Sequence, residues 1–382
     1  MSTKSLIFGD KVLLVIVLLL SLFSFFPVFS SSSYLSYVID GSSPIYYLVK
    51  HLIVILFGFI LMLSIKLVPF KFFRGMSIIL LPIGIGLLVY TLSQGTIIGG
   101  SAASRWIDIP FVGISFQTSA LAAIIIITYT ARYLSKVELS KTKFSETLIP
   151  LWLPIFTYIF LIFPANFSSA FLIFTALVIT LFISGFPLRH LFKVFLILGF
   201  LLITFFFTAK TFPDKFPNRI DTWLSRIENF GSNKNLDASY QIERAKMAIN
   251  NGGLIGVGAG KSIMKNHLPQ SNSDFIFAII VEEWGSIGGA FIICLYILMF
   301  FRFLSITHRI DDRFGKILVS GLGVFIIIQA FTNISVATQI IPVTGQNLPL
   351  ISSGGSSAWM TCISLGMILS VSSSIKNKNG KQ

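Results

Sequence analysis

Asp274 stands where a polar, glycine-rich run (Gly252 to Ser273) passes into a long apolar one that carries two more carboxylates, Glu282 and Glu283. A carboxylate at such a boundary can accept the proton of an attacking hydroxyl. The neighbouring cations, Lys261 and Lys265, can offset charge that develops on an anionic leaving group. Two plainer readings compete. Gly260-Lys261-Ser262 resembles the end of a phosphate-binding loop, but that motif needs a glycine five residues before Gly260 and the position holds Ile255. Asp274 is also a good N-cap for the apolar helix that follows.

The elements that would hold these residues follow from composition. Of the 382 residues, 54% are hydrophobic and only 12% charged, with a mean hydropathy of +0.85. A soluble chain of this size carries roughly 25% charge, so this reads as an all-α polytopic membrane protein. About 20 apolar residues cross the hydrocarbon as a helix. Ten stretches qualify: Val12 to Phe29, Leu48 to Leu67, Met76 to Leu92, Phe116 to Ala131, Leu148 to Phe163, Ser169 to Gly185, Leu191 to Phe207, Phe275 to Phe303, Ile317 to Ala337 and Ser356 to Ser373. Together they form a single integral membrane domain over 1–382, with one large extracytoplasmic loop, about 211–273, between the seventh and eighth helices. The net charge of +14 does not indicate nucleic acid, because the basic residues are spread through short loops instead of gathered on one soluble face.

Their distribution sets an orientation. With both termini cytoplasmic, the inner segments take 18 of the 29 basic residues, among them Arg132, Lys136, Arg189, Arg302, Arg309, Arg313 and Lys316. The short outer loops hold Lys50 and Arg105, and the rest lie in the long loop, which the positive-inside rule exempts. The Asp274 region therefore faces the extracytoplasmic side. Phe212, Phe216, Ile220, Trp223, Leu224, Ile227 and Phe230 of the long loop are spaced for short amphipathic helices on the membrane face.

Ionisable groups at membrane depth are costly. On a helix running from Asp274, Glu282 is about 80° round and Glu283 about 180°, so only Glu282 would share its face. Both must meet other helices or a wet cavity. Cys294 and Cys362 fall inside spans and read as packing residues, and His51, His190, His267 and His308 are too scattered to make a zinc site. Uncharged and rich in helix breakers, the last outer loop, Pro342 to Ser357, reads as the wall of a polar cavity, since non-helical backbone at membrane depth needs one.

Arg105-Trp106, Phe116-Gln117-x-Ser119, Tyr240-Gln241, Gly256-x-Gly258-x-Gly260-Lys261-Ser262, Leu268-Pro269, Asp274-Phe275-Ile276-Phe277-Ala278, Glu282-Glu283-x-Gly285 and Pro342-x-Thr344-Gly345 to Ser357 resemble, in order and over the whole chain, the SEDS family (shape, elongation, division and sporulation) of FtsW and RodA proteins. The resemblance implies a ten-helix peptidoglycan glycosyltransferase that polymerises lipid II outside the cytoplasmic membrane. It also implies a class B penicillin-binding protein as transpeptidase partner alongside other divisome membrane proteins, and Asp274 as the catalytic acid–base group. The stretch from Ser104 to Ser119 and the approach Asn347 to Leu350 are most similar to the FtsW division branch. Three features depart from the family pattern, one of them Ser353 in place of the tyrosine of Ser-Tyr-Gly-Gly-Ser-Ser. Gln-Pro-Ser-Glu is here Gln117-Thr118-Ser119-Ala120, without the acid of a helix-four ion pair, and Pro-Asp-x-Gly is Pro164-Ala165-Asn166-Phe167.

The chemistry so implied is inverting: a sugar 4-hydroxyl attacks an anomeric carbon whose leaving group is a lipid pyrophosphate, giving a β-1,4 link. Asp274 would be the base. Arg105, Lys261, Lys265 and Arg219 are the candidate pyrophosphate cations; Gln117, Ser356 and Ser357 are the uncharged substrate-binding candidates. A divalent cation, Mg or Mn, could share the work of the cations, although no protein metal cluster is evident. A lipid II flippase and a non-catalytic scaffold for the transpeptidase are the alternative functions.

Overall fold

The computed structural model describes residues 9–34, 43–94, 106–109, 114–138, 142–211, 236–268 and 271–379. Ten helical segments correspond to the ten expected spans. They are α1 (Lys11–Tyr34), α2 (Pro44–Leu67), α3 (Phe70–Gln94), α4 (Thr118–Lys136), α5 (Phe144–Ile162), α6 (Phe167–Ile183), α7 (Leu188–Thr211), α9 (Ile276–Arg309), α10 (Arg313–Ala337) and α11 (Gly355–Asn379). Eight of these are long and apolar enough to cross a membrane, α6 is a shorter apolar helix, and α7 runs for 24 residues. One further helix, α8 (Leu236–Gly252), lies before the glycine-rich run and packs on α9. Among the described residues the fold is all-α except for one hairpin, β1 (Trp106–Ile109) with antiparallel β2 (Ile114–Gln117), in which Trp106 pairs with Gln117. That hairpin takes Phe116 and Gln117 out of the fourth predicted helix, which starts at Thr118.

Apolar pattern decides which helices sit inside. Residues Ala122 to Ile127 of α4 are buried without interruption, as expected of a helix that is apolar all round and central. It packs against α3 and α10, and α10 also meets α6, α9 and α11. On α2, α6 and α7, by contrast, Leu56, Ile60, Phe171, Phe200 and Ile203 point outward, which is stable only against lipid.

Backbone irregularities are repaired locally. In α5 a π-helical turn (Leu148–Trp152) precedes Pro154, whose missing N–H leaves the carbonyl of Pro150 without its helical donor. The Tyr129 hydroxyl donates to that carbonyl at 2.7 Å. At the end of the bundle where basic residues gather, Asp10 caps α1 by accepting from Leu13 N and takes Arg302 of α9 through Nε and Nη2 at 2.6 to 2.7 Å. Its own N–H donates to Ser372 Oγ of α11, so one residue ties three helices together.

Candidate active site around Asp274

Asp274 does not cap α9. The helix begins at Ile276 with Phe275 at the N-cap position and no side-chain cap, and residues 271–275 form a turn. The aspartate is instead held by the polar stretch before α11. Asn333 of α10 donates from Nδ2 to the Asp274 carbonyl at 2.9 Å and to the Gln346 carbonyl at 2.7 Å. Ser352 Oγ donates to the Ser273 carbonyl at 2.7 Å, and Ser353 donates to the Asn272 carbonyl from both N and Oγ at 2.9 Å. Gly345, at φ +66°, lies against the carboxylate; a Cβ there would stand 3.5 Å from Asp274 Oδ2. Only 9% of Asp274 is exposed, so a single acid is fixed beside a wall of uncharged polar backbone, the role read for Pro342 to Ser357.

The glycine-rich run is neither a phosphate loop nor a loose connection. α9 breaks at Gly285 (φ 68°, ψ −175°), which frees carbonyls before the break and N–H groups after it. The run supplies the missing partners. Val257 N and Gly258 N donate to the carbonyls of Glu282 and Glu283 at 3.0 Å, while Ser286 N and Ile287 N donate to the carbonyls of Gly253 and Leu254 at 2.9 and 3.3 Å. Such intimacy between backbones requires glycine: a Cβ at Gly252 would lie 2.0 Å from the Val281 carbonyl oxygen, at Gly256 2.3 Å from that of Glu283, and at Gly285 2.1 Å from that of Leu254. The half-helix from Ile276 to Trp284 that follows Asp274 is thus clamped from outside.

Because Asp274 precedes the helix, the wheel angles that would pair it with Glu282 do not apply. Glu282, wholly buried, turns to the loop and accepts from Ser262 Oγ, from Ile263 N and Met264 N at 3.3 Å, and from Asn251 Nδ2 at 3.5 Å. Glu283 accepts from Ser30 Oγ of α1. Both are structural bonds of the kind a buried carboxylate demands. Lys265 is drawn into the same cluster, donating to the Gly260 carbonyl at 2.7 Å and Ser30 Oγ at 3.2 Å. Lys261 is exposed, with its stem over Gly258, and among the described residues its ammonium makes no hydrogen bond. Arg105 and Arg219 lie outside the described residues, as do Phe212 to Phe230.

The uncharged candidates converge. Gln117 and Ser357 line one cavity with Ser119, Ala120, Ser169 and Gln346, with a volume of about 30 Å³, room for roughly two waters. Ser356 is buried and accepts from Gln117 N at 3.2 Å, joining β2 to α11. Gln346 connects cavity and acid: its side chain donates to Ser169 Oγ at 3.0 Å, and its carbonyl shares Asn333 with Asp274. Ala120 leaves this lining without charge. Ala165 stands where the family pattern has aspartate, and the next residue, Asn166, caps α6 by accepting from Ser169 N at 3.1 Å. Asn333 and Ser30 are site residues that the sequence reading passed over. Their signal was a polar side chain in an apolar helix, where such groups glue helices together. Among the described residues no three His, Cys, Asp or Glu side chains meet.

The sequence profile of the FTSW_RODA_SPOVE family, described as cell cycle protein, matches residues 10–377. The chain is 31% identical over 333 residues to a probable peptidoglycan glycosyltransferase FtsW of Hydrogenovibrio crunogenus, covering 86% of this chain and 82% of that protein. Its fold is similar to that of Thermus thermophilus rod shape determining protein RodA, with a TM-score of 0.66 at 21% identity and coverage of 95% and 96%. It is also similar to a chain of a peptidoglycan synthase complex studied for coordination of polymerization and crosslinking, with a TM-score of 0.74 at 20% identity and coverage of 96% and 98%.

Proposed function

The chain belongs to the FtsW/RodA/SpoVE family, and from that premise we propose that it is a peptidoglycan glycosyltransferase that polymerises lipid II on the extracytoplasmic side of the membrane for septal wall synthesis in cell division. The observation that carries the reading is the setting of Asp274. One carboxylate is held at the mouth of a broken helix, against Gly345, by backbone bonds from Asn333 and the Ser352-Ser353 turn.

In this reading the acceptor's 4-hydroxyl attacks the anomeric carbon of the donor. Its proton passes to the Asp274 carboxylate, the new C–O bond forms with inversion, and the C–O bond to the lipid pyrophosphate breaks. A carboxylate fixed through its backbone needs no reorganisation when the hydroxyl arrives. Lys261, exposed at the outer end of the clamp, is the described cation available to the departing pyrophosphate, joined by Arg105 and Arg219. Lys265 acts instead by holding the loop to α1. Gln117 and Ser357 offer hydrogen bonds to sugar or peptide groups from the cavity wall.

A class B penicillin-binding protein and further divisome membrane proteins are the proposed partners, and both termini are placed in the cytoplasm. The test is to copurify the protein with its candidate transpeptidase and incubate the complex with labelled lipid II. Glycan strands from the parent and none from Asp274→Asn support a polymerase. Lipid II transfer between leaflets without polymer would replace it with a flippase, and full wall synthesis by the Asp274→Asn complex with a scaffold.

A further inference from the structure

A second, larger cavity of about 180 Å³ opens at the opposite end of the bundle from Asp274. It lies between the C-terminal ends of α6 and α9 and the first turns of α10, and is lined by Ser184, Thr307, Arg313, Lys316 and Ser320. Its chemistry is one-sided. Arg313 and Lys316 are exposed cations one turn apart at a helix N-terminus, where the helix dipole adds positive potential. Arg313 spends one nitrogen, Nη1, on the Val137 carbonyl at 3.1 Å and keeps the rest of its fork; Lys316 makes no hydrogen bond among the described residues. Two acids precede them, Asp311 and Asp312; Asp311 is not part of the lining, and Asp312 caps α10 by accepting from Gly315 N at 2.9 Å. Thr307 donates to the Phe303 carbonyl, so in its 3.5 Å contact with Ser320 it is the Ser320 hydroxyl that donates, and the donors left to the cavity are those of the two cations.

Arg309, the last residue of α9, lies just outside the lining. Apolar flanks supplied by Ile183 and Ile317 fit the glycerol and first acyl carbons of a lipid. Basic pockets between transmembrane helices on the cytoplasmic side are suited to phosphate-bearing headgroups. From the paired cations, their free donors and the apolar flanks, we infer that this cavity binds a phosphate group, supplied by an anionic phospholipid of the cytoplasmic leaflet. The leaflet assignment rests on the orientation proposed above; the phosphate chemistry does not.

The experiment uses the full chain in detergent, where orientation plays no part. Lipid retention is followed by native mass spectrometry during titration with phosphatidylglycerol, with phosphatidylcholine, and with inorganic phosphate alone. The protein should retain phosphatidylglycerol in preference to phosphatidylcholine. The double variant Arg313→Gln/Lys316→Gln, shown to be folded by an unchanged melting temperature, should lose affinity about fivefold per charge, on the order of thirty-fold for the pair. Arg309→Gln, outside the lining, should change it no more than about twofold. Competition by inorganic phosphate at millimolar concentration, without preference for the lipid, would keep the phosphate site but assign it to the free ion. Equal binding of both lipids with no phosphate competition, or equal losses from Arg309→Gln and the pair, would overturn the proposal in favour of diffuse surface charge. Should the double variant unfold, the single variant Lys316→Gln carries the same comparison.

Discussion

Asn333 donates to the carbonyl oxygen of Asp274 at 2.9 Å and, with the same Nδ2, to that of Gln346 at 2.7 Å. The candidate base is therefore positioned from α10 through its backbone. Replacing Asn333 with leucine, of similar volume, strands two buried carbonyls. Each unsatisfied group costs about 1–3 kcal/mol. Thermal unfolding in detergent should fall by several degrees, and polymerisation at a temperature where the variant is still folded should drop by tenfold or more. A variant with parental rate would show that the Asn333 bonds do not position the site.

The clamp on the break in α9 gives a paired comparison. Gly256 and Gly260 both have positive φ, at 88° and 76°, so alanine strains either one. Only at Gly256 does the new Cβ also meet backbone, at 2.3 Å from the Glu283 carbonyl oxygen; nothing lies within 4 Å at Gly260. Gly260→Ala should cost about 1–2 kcal/mol. Gly256→Ala should expel the run from the break, leaving the freed backbone of α9 unpaired at membrane depth. Limited proteolysis between Gly252 and Lys261 should be rapid in the second variant and slow in the first; equal protection would contradict the clamp.

The spans and the polar stretch beside Asp274 were legible because both rest on composition: long apolar runs have one solution in lipid, and an uncharged, helix-breaking loop such as Pro342 to Ser357 has few. The role of the glycines was not legible. Gly252 to Gly260 reads locally as a flexible loop, and its real partner is a break at Gly285, a residue that alone would pass for a packing glycine. The two form a single structure only because their backbones interlock. Likewise Glu282 and Glu283 could be marked as buried polar groups, but their partners, Ser262 and Ser30, are set by loop docking and helix order, which periodicity does not carry.

The Asp10–Arg302 pair predicts a coupling between the first helix and α9. Asp10 is 8% exposed and the Arg302 side chain 24%. Breaking a fully buried pair costs about 3–5 kcal/mol, and partial exposure of the arginine lowers that to about 1–3 kcal/mol for Arg302→Met. The double variant Asp10→Asn/Arg302→Met should be more stable than the sum of the single losses implies, because no unpaired charge remains. Strict additivity of the melting shifts would mean that the contact contributes nothing.

Orientation is tested in a background with Cys294 and Cys362 changed to alanine, which removes the native thiols. Ala259→Cys lies on the exposed outer clamp and Ser145→Cys on the exposed turn that starts α5. An impermeant thiol reagent should label the first in intact cells stripped of any outer barrier, and the second only after lysis. Labelling in the reverse order would invert the proposed topology and move Asp274 to the cytoplasmic side.

Asp274 is the sharpest test, because its structural and chemical roles separate on one substitution. Phe275, not Asp274, occupies the N-cap position of α9, and the bond from Asn333 goes to the Asp274 main chain. Asparagine therefore keeps the shape, the turn and the Asn333 contact, and removes the proton acceptor. Stability and copurification with the transpeptidase should be unchanged within about 0.5 kcal/mol. The rate of lipid II polymerisation should fall on the order of 10² to 10⁴. Measured on one preparation for folding, partner binding and turnover, an activity within a few-fold of the parent would remove Asp274 as the base and leave it as a residue that merely shapes the turn before the half-helix.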